Sequence, residues 1–137
     1  MSESIKMHGR LLLFDVIHKS NFPHKISKDC GITYPEKVPI ACNFYFDNPE
    51  EVVGYATITK DDKGLVCDAV ITNVIDRDIL REKFNNELSI GGFYHRTLRH
   101  KEDNITVFDR LHVSGIGITL GPVHEDYKLV LSEESEE

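Results

Sequence analysis

A mainly β protein, with one or two helices, is the fold class this sequence predicts, and three observations predict it. Strand-length runs rich in Val, Ile, Thr, Tyr and Phe recur along most of the chain, as expected of half-buried pleated segments. One stretch alone, around residues 75–86, changes to helical spacing of its apolar residues. Turn-forming residues separate the runs at short intervals, the pattern of antiparallel strands joined by tight connections. Together these point to a small closed or partly closed antiparallel β-barrel of six or seven strands.

The elements follow in order. Arg10 to Ile17 reads as a strand, and the segment after it, rich in turn formers, runs to Gly31 and Pro35. Val38 to Phe46, Val52 to Thr59 and Leu65 to Thr72 are the next strands. Asp61-Asp62-Lys63-Gly64 joins the last two with hairpin chemistry, since glycine accepts the unusual backbone angle such a turn demands. Ile75, Ile79, Leu80 and Phe84 share one helical face, Asp76 is a natural N-cap and Asn85-Asn86 a natural stop, so residues 76–86 read as a helix. Leu88 to Arg99, Ile105 to Leu111 and Val113 to Leu120 return to strand character, with Asn104 in the turn between the first two. Gly115, Gly117 and Gly121 allow bulges or close backbone approach in the last run.

A chain of 137 residues holds one core comfortably, so residues 1–123 are expected to form a single barrel domain. The net charge of −7 is uneven: residues 124–137 carry Glu125, Asp126, Glu133, Glu134, Glu136 and Glu137 against Lys128, a balance of −5. That stretch is expected to be a solvated, disordered acidic tail. No apolar run approaches the roughly 20 residues needed to cross a bilayer, and no secretory leader precedes Leu11-Leu12-Leu13-Phe14. The expectation is a protein that stays in the cytosol and makes no membrane contact. Cys30, Cys42 and Cys67 lack Cys-x-x-Cys spacing, which argues against a disulfide framework or a zinc site. No cofactor or metal is expected. Nor is nucleic-acid binding, because no basic face with interleaved aromatics offsets the acidic balance.

A set of short motifs is collinear with a known pattern: Gly9 to Asp15, Val38-Pro39-Ile40-Ala41-Cys42-Asn43-Phe44, Val52-Val53-Gly54, Asp62-Lys63-Gly64-Leu65, Leu88-Ser89-Ile90-Gly91, His112-Val113 and Pro122. In order and spacing they resemble the tailed-phage prohead (capsid maturation) proteases and the herpesvirus assemblins, over roughly Gly9 to Pro122. The resemblance implies a protease barrel with Ser89 in the nucleophile's place and His112 in that of the third triad member. The central histidine belongs where Phe44 stands, and shifting the register offers only Asn43 or Tyr45, neither a competent base at neutral pH. Removing that histidine from a serine-protease triad costs on the order of 10⁶ in turnover.

Two functions from different classes therefore follow. The first is a catalytically inactive pseudoprotease, a structural or assembly component of a phage head. It would be made in the host cytoplasm, carried into the prohead or virion, and partnered with capsid or scaffold proteins or with further copies of itself. The alternative is an active serine capsid maturation protease with Ser89 as nucleophile and an unconventional base, for which His112 in a rearranged dyad is a better candidate than His95. An unrelated β-barrel binding module is a third possibility. Each residue also has a plainer role: Ser89 as an ordinary strand serine, His112 as a half-buried structural histidine, and Arg96, Arg99, His100 and Lys101 as a solvated basic turn able to contact an acidic neighbour. His95 lies six residues beyond Ser89, roughly 20 Å along a straight strand. His95 and His100, five apart, face opposite sides and make a poor metal pair. Gly91-Gly92 lacks the strand-loop-helix setting of a phosphate loop.

Overall fold

Alternation of buried and exposed residues builds much of the wall of the molecule. The computed structural model describes residues 4–18, 23–42, 51–73, 75–119 and 124–132. Eight strands and one helix follow one another: β1 (Ile5–Leu13), β2 (His24–Thr33), β3 (Val38–Cys42), β4 (Val52–Lys60), β5 (Gly64–Ile71), α1 (Arg77–Phe84), β6 (Glu87–Glu102), β7 (Ile105–Ile118) and β8 (Lys128–Leu131). In β5, for instance, Leu65, Cys67, Ala69 and Ile71 point inward while Asp68 and Val70 face out.

Seven strands close a barrel in the order β7, β3, β4, β5, β1, β8, β6, with β6 pairing back onto β7, and β2 is an extra strand outside the ring. One edge of β7 is lined by β6 along nearly its whole length. Its other edge is shared, by β2 over Thr106 to His112 and by β3 over Ile116 to Ile118. Ile5, Met7, Leu11, Leu65, Leu88, Ile90, Leu111 and Leu129 fill the interior, each at most 1% exposed.

The barrel is mixed rather than antiparallel, because β3 runs parallel to β7, as does the extra strand β2 outside the ring. Periodicity reports which face a residue occupies and is silent on the direction of its neighbour. A parallel neighbour needs a long crossover, and β4, β5, α1 and β6 supply it between β3 and β7.

Local chemistry explains the Asp61–Gly64 turn and helix α1, where structure and sequence agree. Asp61 Oδ1 accepts from the Lys63 and Gly64 N–H groups at 3.0 and 2.8 Å, and its carboxylate takes both prongs of the Arg10 guanidinium. Those donors hold the Asp61 carboxyl down to about 2. Gly64 has φ +156°, and a Cβ there would lie 1.9 Å from the Leu12 carbonyl oxygen. Helix α1 begins as predicted: the Asp76 side chain accepts from the Ile79 N–H at 2.8 Å, and Asn85, in the left-handed region, ends it.

Strand β1 runs Ile5–Leu13 where Arg10 to Ile17 was expected, and three further segments depart from expectation. Strand β2 falls where turn formers suggested no strand; it pairs only with β7 and buries little beyond Ile26 and Cys30, so it carries scant apolar alternation. The two runs on either side of His112 are one continuous strand, β7. Strand β8 lies inside the stretch assigned to the acidic tail: Tyr127 and Leu129 are 2% and 0% exposed, and the strand bridges β1 and β6. Its short inward alternation is hidden in the sequence among acidic neighbours; residues 133–137 lie outside the described residues. Cys30, Cys42 and Cys67 are free thiols, and burial pushes Cys67 up to about 12. No helix among the described residues is long and apolar enough to cross a membrane.

Candidate functional site

Ser89 stands on the barrel wall near the start of β6. Its neighbours Leu88 and Ile90 are wholly buried, so alternation turns the serine outward, half-buried, opposite Lys128 of β8. The Ser89 carbonyl accepts from the Thr119 N–H at 2.9 Å. His112 lies far along the same sheet. Its Cα partner on β6 is His95, six residues beyond Ser89, which separates the two candidates by roughly 20 Å. The structure does not bring Ser89 and His112 together. Phe44, the third position the resemblance marks, is outside the described residues.

All seven histidines are described, and their recorded partners lie elsewhere. His8 meets Ser132, His95 meets Ser114 and His112 meets Thr33. His100 is clasped between Glu102 and Asp109 at 2.8 and 2.7 Å, and these carboxylates raise its pKa. His18, His24 and His124 gather around Tyr127. Among the described residues the Ser89 hydroxyl has no imidazole to take its proton.

That last cluster closes one part of the interior with a directional hydrogen-bond chain. The Leu13 N–H donates to the Tyr127 hydroxyl oxygen at 2.8 Å, and the Tyr127 hydroxyl in turn donates to His18 Nε2 at 2.5 Å. His18 Nδ1–H then faces the His24 carbonyl at 3.3 Å. This assignment requires a neutral imidazole, and burial, aided by nearby His24, pulls His18 down to about 4. His24 stacks on His18 at 4.7 Å between ring centroids, and His124 stacks on Tyr127 at 5.0 Å. With the ring 1% exposed and both nitrogens engaged, the group locks the structure and offers nothing to a substrate.

A different neighbourhood forms on the outer face, where β2, β7 and the far half of β6 lie side by side. Thr33, His112 and His95 are aligned across the three strands. Thr33 Oγ1 is 2.8 Å from His112 Nδ1, and Ser114 Oγ is 2.5 Å from His95 Nδ1. The register slips between Phe93 and Tyr94 and again between His95 and Leu98, so Ser114 and the pair Arg96-Thr97 are bulge residues. Arg96 takes φ 55°, a left-handed angle that costs an ordinary side chain about 1 to 2 kcal/mol. Beside this bulge opens a cavity of about 470 Å³ bordered by Thr33, Arg96, Leu98, Arg110 and His112.

The Ser114–His95 pair invites comparison with a nucleophile and its base. A working base needs a third group to hold its far nitrogen, and among the described residues none meets His95 Nε2; Phe93 packs its edge against the ring at 4.7 Å. The pair serves to hold the bulge. Sequence reasoning singled out Arg96 and His112 separately but missed Thr33, Arg110 and Ser114, which reach the site through strand pairing alone. Among the described residues no group of three His, Cys, Asp or Glu side chains could hold a metal ion.

Fold and site together define a mixed β-barrel with a cavity on its outer face that two arginines border. Comparison with protein-family models, with curated proteins and with solved structures found no match to this chain.

Proposed function

We propose that the chain is a non-catalytic protein with a prohead-protease-like barrel, a pseudoprotease that serves as a structural or assembly component of a phage head or virion. The observation that carries this reading is the isolation of Ser89: it faces outward, roughly 20 Å of strand away from His112, with no described histidine against its hydroxyl. Attack by a serine requires a base to remove its proton. Phe44, at the position the resemblance reserves for that base, has no proton-accepting atom. The order of elements supports the same kinship, with a helix directly before the Ser89 strand and a closed barrel around it. Capsid or scaffold proteins are the proposed partners, and the route is from host cytoplasm into the particle.

Two measurements test it. The intact mass of the expressed full-length chain, before and after a fluorophosphonate probe, should be that of the uncut, unlabelled protein and should match the Ser89→Ala variant apart from the substitution. A trimmed product or an adduct that vanishes in Ser89→Ala would restore the active capsid maturation protease with Ser89 as nucleophile. Mass spectrometry of purified particles should then find the whole chain retained, and its absence from them removes the assembly role.

A further inference from the structure

We propose that the cavity between β2, β6 and β7 is a docking site for an acidic peptide segment of a partner protein, whose carboxylates pair with Arg96 and Arg110. The inference rests on the reading that this barrel works by binding rather than by catalysis, and it names the chemistry of the partner.

Two arginines, Arg96 and Arg110, border one cavity of about 470 Å³. Elsewhere in the molecule arginines are matched to acids: Arg10 takes Asp61 at 2.8 Å and Arg81 takes Asp78 at 3.0 Å. Among the described residues neither Arg96 nor Arg110 has such a carboxylate. The nearest acid in sequence, Asp109, is occupied by His100 at 2.7 Å. A guanidinium presents its donors as a planar fork suited to a carboxylate, so two exposed arginines without a carboxylate partner beside one concavity suit an acidic ligand. His112 and Thr33 add polar groups to the wall, and Leu98, 55% exposed, adds apolar surface against which an aliphatic stem can rest.

The backbone supports the same assignment. Among the described residues, Arg96 is the one non-glycine with positive φ inside a strand; the others, Asp15, Asn85, Asn86, Asp103 and Asn104, sit in turns or at the helix end. A bulge re-aims the side chain it carries, and here it accompanies a costly angle on a residue with no local hydrogen bond to favour it. A peptide fits better than a nucleic-acid strand. The latter needs a track of cations with stacking aromatics, whereas these two arginines share a single concavity with leucines in a chain of net charge −7.

The test uses the full chain and a fluorescently labelled hexaglutamate peptide at low ionic strength, followed by anisotropy. Saturable binding is expected, weakened by about tenfold or more when Arg96→Gln and Arg110→Gln are combined, and nearly unchanged in Lys101→Gln. Both arginines are exposed, so circular dichroism should show the double variant folded. Absence of saturable binding, or equal binding by the double variant, overturns the proposal. So does tighter binding of inorganic phosphate or oligothymidylate at the same residues, which would reassign the site to free anions or nucleic acid. A fluorophosphonate adduct on Ser89 would sink the pseudoprotease reading and leave these binding results standing, so the two failures are separable.

Discussion

Strand β6 lives in two environments. Its first residues, Glu87 to Ser89, pair with β8, and β7 takes over from Ile90, with Leu88 and Ile90 completely buried. Beyond Gly92 it pairs with β7 alone, its register slips three times, and its residues from His95 to Glu102 are mostly exposed. The regular half holds Ser89, the residue that resemblance marks for chemistry, and geometry gives that residue nothing to react with. The irregular half holds Arg96 and opens a cavity. Within one strand, then, the barrel supplies rigidity where the motif lies and supplies an accessible binding surface where the ladder is broken.

The largest effect that could break this comparison is a pair of matched truncations. Leu88→Ala empties a fully buried site and should cost about 2 to 5 kcal/mol of stability. Leu98→Ala, made at a position 55% exposed, should stay within about 0.5 kcal/mol of the parent. Denaturant unfolding of both variants measures the difference. Equal losses would mean that the far half of β6 is as deeply built into the fold as the near half.

A smaller effect sharpens the account of the rigid half. Tyr127 accepts through its carbonyl from the Ile90 N–H at 2.9 Å, while its hydroxyl joins Leu13 to His18, so it ties β6 to the buried histidine. Tyr127→Phe strands a backbone donor and an imidazole nitrogen and should cost about 1 to 3 kcal/mol. The same group makes stability depend on acid. His18 titrates near 4 in the fold, against about 6.5 in the unfolded chain. Between those values the unfolded state holds the extra proton, so this contribution is complete above about pH 6.5 and is lost as pH falls toward 4, by up to about 3 kcal/mol. Melting temperatures from pH 7 to 5 should therefore fall more steeply for the parent than for His18→Gln.

How much of this was legible in the sequence varies with the range of the interaction. The Asp61–Gly64 turn and helix α1 could be read directly, because Asp61, Gly64, Asp76 and Asn85 act on backbone groups within a few residues of themselves. Strands β2 and β8 could not: the first turns only part of one face to the core, and the second is four residues long among acids. Parallel pairing onto β7 leaves no trace in periodicity. The motif around Ser89 was visible, but its distance from His112 depends on a register set by long-range pairing. Arg96 was visible as part of a basic run, whereas Arg110 and Thr33 meet it only through the slipped ladder, and no glycine or asparagine at position 96 announces the bulge.

The smallest expected effect bears on why that bulge exists. If Arg96 holds a left-handed angle for the sake of its side chain, Arg96→Gly releases the strain at no loss of packing, since the residue is exposed. Relief of about 1 to 2 kcal/mol is offset by the entropy glycine brings to a strand, about 0.5 to 1 kcal/mol. The variant should then be as stable as the parent or more so, by up to about 1.5 kcal/mol, while hexaglutamate binding falls. Thermal unfolding and anisotropy on the same preparation measure both. A clear destabilisation would show that the Arg96 side chain supports the fold itself, and the irregular half of β6 would then owe its shape to internal packing and not to a ligand.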